Sequence, residues 1–274
     1  MPMSGPTVVR RQLGRRLRRL RDAAGKTERD VEEASLASRA KLWRIETGKT
    51  PVKVADVRAL CWLYGADAAT TDALAGLAAG TSAQGWWEEH NGAVPDWFGL
   101  YVGLETTATE IRVYDPELVH GLFQTPDYAR AVYRAGRSDD DEVAIDRQVK
   151  LRLGRQQILE RDPPPKITAI LGAAALARLI GGRQVMAEQF ARLKELSQRA
   201  NVDVRVLPWE VGAHAALLGA FTILDFDDPD DPAVVYVETQ VGARYLEKPE
   251  ELSEYRRIFK LISEQSTPIE EDTR

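Results

Sequence analysis

Ser38-Arg39-Ala40-Lys41-Leu42-Trp43-Arg44-Ile45-Glu46-Thr47-Gly48 carries the marks of a short helix with two unlike faces. Ser38 is a good N-cap, because its hydroxyl can accept from an amide of the first turn, and Gly48 is a good stop, because it enters the left-handed region freely. Leu42 and Ile45 lie three apart and define the inner face. Arg39, Ala40, Lys41, Trp43 and Arg44 then point outward. Taken alone, such a face also describes the wet side of an ordinary surface helix. The neighbouring sequence decides between the two readings.

Upstream, Val9, Leu13, Leu17 and Leu20 form one helical stripe over about residues 7–24, and Arg10, Arg11, Arg15, Arg18 and Arg19 occupy the remaining surface. Gly25 ends it. Thr27 caps a second helix in which Asp30 can reach back to the cap, with Val31 and Ala34 facing inward. A turn at 35–37 leads into Ser38. Two short helices joined by a tight turn, the second basic outside, make a helix-turn-helix. The second helix then suits the major groove, where arginine can make two hydrogen bonds to guanine. Arg39, Lys41 and Arg44 are the candidates for base or groove contacts, and Ala40 for a thymine methyl. Lys49, Lys53 and the helix start at Thr27 suit phosphate, and Ser38, the cap of the second helix, completes the DNA-binding set. Trp43 either packs under the module or reaches sugar and base edges.

Residues 27–65, above all Lys41-Leu-Trp-Arg-Ile-Glu-Thr-Gly-Lys49 followed by Asp56-Val-Arg-Ala-Leu60, resemble the Cro/cI-type (XRE) DNA-binding domain. The resemblance implies five helices, the fourth over residues 56–64 and the fifth over about 69–79. It also implies that Glu46 pairs with an arginine of the first helix, Arg18 or Arg21, as structural support. Two residues depart from the pattern: Glu28 stands where the family often places glutamine, and Ser35-Leu36-Ala37 supplies no glycine to the turn. Both bear on affinity and register.

The charge distribution agrees with a polyanion partner for the head alone. The net charge of the 274-residue chain is −5, yet residues 1–60 hold 15 Lys/Arg against 7 Asp/Glu, a net of +8, which leaves −13 for the rest. The 44% hydrophobic and 29% charged content is that of a globular protein. No run of 18 uncharged apolar residues suggests a membrane span, and the arginines near the start precede no signal-peptide core. Cys61 is the lone cysteine, so a reducing cytoplasm is expected.

The expected division is an all-α five-helix DNA-binding domain at 1–80, a small polar linker at 81–85 and an α+β or α/β domain at 86–274. The larger domain opens with Trp86, Trp87, Trp97, Phe98 and Tyr101, five of the twenty aromatics. These read either as a docking seam or as an aromatic pocket for an effector or partner. Together with Glu110-Ile-Arg-Val-Tyr-Asp-Pro-Glu-Leu-Val-His120, the Thr125-Pro126-Asp127 cap and Arg147-Gln-Val-Lys-Leu-Arg-Leu-Gly-Arg-Gln156, they closely resemble the C-terminal domain of unknown function 5753 that follows XRE modules in many actinobacterial regulators. Strands are expected near 110, at 166–171, 203–207, 220–226 and 233–238. Helices are expected at 139–161, 173–180, 183–200 and 249–263. The order is similar to half of a phospholipase-D-like fold, although neither His120 nor His214 is followed two residues on by the lysine that its catalysis requires.

The body offers no evident chemistry. His90, His120 and His214 form no metal or nucleophile spacing, and each reads as a loop or packing residue, His214 being the most pocket-like. The run Asp225, Asp227, Asp228, Asp230 and Asp231 lacks the glycine and terminal glutamate of a calcium loop and fits a hairpin turn. The expectation is therefore a cytoplasmic transcriptional regulator without enzyme activity, metal or cofactor. It binds double-stranded DNA as a homodimer and senses a small-molecule effector through its body. The alternative is an antitoxin-like protein whose body holds a small protein partner.

Overall fold

The computed structural model describes residues 5–79, 96–136, 141–227, 232–240 and 242–271. The chain folds into two compact units, residues 1–104 with 242–245, and residues 105–241 with 246–274. The expected linker, 81–85, lies outside the described residues.

Five helices build the head: α1 (Gly5–Ala23), α2 (Glu28–Glu33), α3 (Arg39–Glu46), α4 (Val54–Leu63) and α5 (Ala68–Ala79). Leu13 and Leu17 of the α1 stripe meet Val31, Leu42, Ile45, Val57, Leu60 and Leu74 in one core. Each such side chain contributes about 1.5–3 kcal/mol by leaving water. Two glycines set how closely α1 and α3 approach. A Cβ on Gly14 would fall on the Ile45 carbonyl, and one on Gly48, at φ +69°, would meet the Arg11 backbone at 2.6 Å. The close crossing brings Arg21 of α1 to Glu46 of α3. Arg21 Nε and Nη2 donate to the two carboxylate oxygens at 2.7 and 3.0 Å, with both side chains buried. Arg21, and not Arg18, is therefore the partner; Arg18 lies 3.8 Å from Asp22 instead. Cys61 is buried, which pushes its thiol up and keeps it unreactive.

The body is α+β. After α6 (Asp96–Thr107) come β1 (Glu110–Asp115), α7 (Pro126–Gly136), α8 (Glu142–Arg155), β2 (Lys166–Gly172), α9 (Ala173–Ala177), α10 (Arg183–Ser197), β3 (Val202–Leu207), β4 (Phe221–Asp225), β5 (Val234–Thr239), β6 (Gly242–Leu246), α11 (Pro249–Glu264) and β7 (Thr267–Pro268). The strands form one mixed sheet in the order β6-β5-β4-β1-β2-β3-β7. β1, β2 and β3 run parallel, Val113 opposite Ala169 and Ala169 opposite Val204, as helical crossovers allow. β4 flanks β1 antiparallel and β5 flanks β4 in the same sense. Leu252, Phe259 and Ile262 of α11 cover Tyr114, Ile170, Phe221 and Val235 of the sheet.

Most strands and helices form near their expected positions, with some differences. The helix expected at 139–161 begins at the Asp141 cap and ends at Arg155, where a 3-10 turn takes over. Gln156 is responsible: its amide donates to the carbonyls of Gly121 and Gln124, turning the chain toward that loop. The Asp225 run joins β4 to its antiparallel neighbour β5, as a hairpin does, and Asp225 itself meets Arg112 and Arg256; Asp228, Asp230 and Asp231 lie outside the described residues. The helix expected at 173–180 ends at Ala177, and α6 and the short β6 and β7 had no sequence expectation.

Candidate nucleic-acid interface

The interface starts from two helix caps. Thr27 Oγ1 accepts from the Asp30 amide at 3.3 Å while Asp30 Oδ2 accepts from the Thr27 amide at 2.6 Å, the reciprocal capping box of α2. Those bonds hold the Asp30 carboxyl below its usual range. Ser38 Oγ accepts from the Lys41 amide at 3.3 Å and opens α3. Between the helices Ser35 takes φ +58°, so the turn keeps the left-handed conformation that glycine usually serves.

Leu42 and Ile45 are buried and Arg39, Ala40, Trp43 and Arg44 are exposed, so the two faces of α3 separate as their spacing requires. Their cations are not equally available. Arg39 Nε lies 3.2 Å from Glu32, and Lys41 Nζ donates to Asp56 at 2.9 Å, which leaves Lys41 half-buried rather than turned fully outward. Arg44 meets no acidic partner among the described residues. Trp43 does not pack under the module: it is 49% exposed, and Lys49 Nζ stands 4.1 Å over its ring. Lys53 is exposed and opens α4 without a side-chain cap bond. Beside the α2 start, a shallow cleft carries Arg21, Lys26, Arg29 and Arg39 with Asp22 and Glu28. Glu28 thus places a carboxylate at the cationic edge of the face.

Of the aromatic candidates, Trp86 and Trp87 lie outside the described residues, as does the side chain of Trp97. Phe98 is half-buried and stacks on buried Tyr101, ring centroids 5.7 Å apart. His214, after β3, accepts from the Ala216 amide at 3.2 Å, and its ring meets Tyr114 edge-on at 5.8 Å; burial pulls its pKa down.

Sequence reasoning missed the strongest polar cluster of the body. His120, rather than His214, is the enclosed histidine. Its Nδ1 lies 2.9 Å from Asp115 at the end of β1, and its Nε2 lies 3.9 Å from Glu105 of α6. Arg155 of α8 grips Glu105 through two bonds of 3.0 and 2.9 Å. Burial opposes the charge on both groups. The opposing charges and hydrogen bonds outweigh it, pulling Glu105 down to about 2 and pushing His120 up to about 8. The only signal in the chain was the acidic residue five positions before His120, which is too common to mark a site. Among the described residues no group of side chains could hold a metal ion, and no helix is long and apolar enough to cross a membrane.

Two family models match the chain. One, described as a helix-turn-helix domain, covers residues 12–74, and the other, described as a domain of unknown function (DUF5753), covers residues 98–274. No curated protein and no solved structure gives a match. The first match contains the capped helix pair and the whole of α3, so the head is a DNA-binding helix-turn-helix domain.

Proposed function

The chain belongs to the DUF5753 family, and from that premise, with a helix-turn-helix domain ahead of the family domain, we propose a sequence-specific transcriptional regulator that binds double-stranded DNA as a homodimer. Its C-terminal domain receives a small-molecule effector, its setting is the cytoplasm, and it has no catalytic role. The observation that carries the reading is the outer face of α3, where Arg44, without an acidic partner among the described residues, stands beside exposed Trp43 and Lys49. The +8 charge of residues 1–60 supports it.

Arg44 takes the base contact, and Arg39 and Lys41 join it by exchanging Glu32 and Asp56 for DNA. The Arg39–Glu32 pair is solvent-exposed and the Lys41–Asp56 pair half-exposed, so the first exchange costs less than the second. Ala40 meets a thymine methyl and Trp43 the sugar edge. Thr27, Ser38, Lys49 and Lys53 hold phosphate. A dimer places two such helices about 34 Å apart on successive major grooves. An effector that favours one spacing of the heads over another then controls occupancy.

Binding to genomic fragments that include the protein's own promoter, at two salt concentrations, tests this. Arg44→Ala should weaken selective binding about 10-fold or more while weak, salt-dependent binding persists. Lys53→Ala should weaken binding to all sequences alike and flatten the salt dependence. A wild-type protein without sequence preference at either salt would refute the proposal.

A further inference from the structure

Arg152 and Arg155 sit one turn apart on α8 and are both drawn into the body, but only one is neutralised. Arg155 has Glu105. Arg152 donates from Nη1 to Gln124 Oε1 at 2.6 Å and lays its guanidinium 4.4 Å from the Tyr133 ring centroid. Its Nε is buried with no acceptor, and no carboxylate reaches it among the described residues. Burial pulls its pKa down and the like charge of Arg155 adds to that, while Tyr133, in part through a hydrogen bond, and Glu238 push the other way. Across Glu105, Asp115, His120 and Arg155 the charges balance two against two, so that network spares no counter-charge for Arg152. Leaving a guanidinium out of water without a counter-charge is costly.

The surroundings hold Arg152 in place without neutralising it. Gln124 is fixed by its own bond to the Val119 carbonyl at 2.7 Å, which aims its amide oxygen at Arg152. The backbone carbonyl of Gln124 is held in turn by Gln156 at 2.8 Å. Tyr133 supplies a planar support from α7. The result is an oriented guanidinium whose Nε has no acceptor, and a guanidinium is the group that recognises planar oxyanions best.

We propose that Arg152 anchors the anionic group, a carboxylate or a phosphate, of a small molecule bound beside Tyr133 on the C-terminal domain. This deepens the effector reading and rests on it for the signalling role, though not for binding itself. An acidic domain thus meets an anion through a guanidinium that no carboxylate reaches among the described residues.

Thermal unfolding of the full chain, without DNA, tests the site with inorganic phosphate and with acetate, each titrated against chloride at constant ionic strength. Wild type should show a saturable rise in melting temperature with at least one of the two anions, about 3–5 °C at ten times the half-saturating concentration. The anion that acts identifies the chemistry. Arg152→Gln should lose that rise while remaining at least as stable as wild type in chloride. Arg152→Lys, which keeps the charge without the fork, should need about tenfold more anion. Arg257→Gln, at an exposed pair with Glu254, should respond like wild type. Any phosphate bound at the basic head is common to all variants, so the difference between wild type and Arg152→Gln is the readout. Equal responses in those two, or none in either, would overturn the site. An Arg152-dependent rise that leaves promoter binding unchanged would keep the site and remove the effector role.

Discussion

The head and the body each close around a buried arginine–glutamate pair, and the two pairs do different work. Arg21–Glu46 and Arg155–Glu105 are both two-bonded and nearly dry, and each joins segments far apart in sequence. In the head, Arg21 has further acceptors, the Lys26 carbonyl at 3.1 Å and Asp22 at 3.1 Å. The pair lies at the rim of an apolar core and clamps α3 so that its outer face can remain cationic. In the body, Glu105 serves two cations, Arg155 and His120, and the charges form part of the interior itself. The same residue pair is thus a bracket in one unit and a component of the core in the other. What separates the two is the carboxylate: Glu46 meets one cation, and Glu105 meets two.

That difference sets the largest expected effect. Glu105→Gln removes the two-bonded carboxylate that Arg155 holds and leaves His120 with one carboxylate instead of two, so it should destabilise the body by about 3–5 kcal/mol. Glu46→Gln leaves Arg21 with its spare acceptors and should cost the head less, about 2 kcal/mol. Denaturant unfolding, followed by hydrogen exchange to locate each loss, checks both. Equal costs would break the distinction between bracket and core.

The pH dependence sharpens it further. His120 is raised from 6.5 to about 8 in the folded protein by Asp115 and Glu105, against the opposing effect of burial. The folded state therefore binds the proton more tightly, and the stabilisation is complete below pH 6.5 and lost as pH rises through 8. A shift of that size corresponds to about 2 kcal/mol. Denaturant midpoints should fall between pH 6.5 and 8 in wild type, and His120→Gln should flatten this fall. Superimposed wild-type curves across that window would show that the folded state holds the His120 proton no more tightly than the unfolded chain does.

How much of this was legible follows from the distance over which each feature is made. Thr27 and Ser38 as caps, Gly48 as a stop, and the strands from Glu110 and Lys166 all announce themselves within a few residues, because capping, left-handed φ and alternation are local properties. The outer face of α3 was legible for the same reason. Its charge state was not: the pairing of Arg39 with Glu32 and of Lys41 with Asp56 depends on how α2, α3 and α4 pack. The Glu105–His120–Arg155 network joins residues up to 50 positions apart, and no spacing rule marks such a set. The early end of α8 belongs here too, since Gln156 reads as an ordinary helical residue until the Gly121 and Gln124 carbonyls are seen beside it. The β6 and β7 strands are short segments whose assignment depends on a neighbouring strand.

The smallest effect concerns the glycine-free turn, where the head departs from the pattern it resembles. Ser35 is exposed and holds φ +58°, a conformation that costs an L-residue about 1–2 kcal/mol relative to the right-handed region. Glycine removes that strain but is freer in the unfolded chain, which offsets about 0.5–1 kcal/mol. Ser35→Gly should therefore stabilise the head by less than about 1 kcal/mol, because the turn already has the geometry that glycine would provide. DNA affinity should be unchanged, since α3 keeps its register. Ser35→Pro, locked near −65°, should unfold the turn and abolish selective binding. A proline variant that melts and binds like wild type would show that the turn does not need a left-handed residue, and the positioning of α3 would then rest on the Arg21–Glu46 bracket alone.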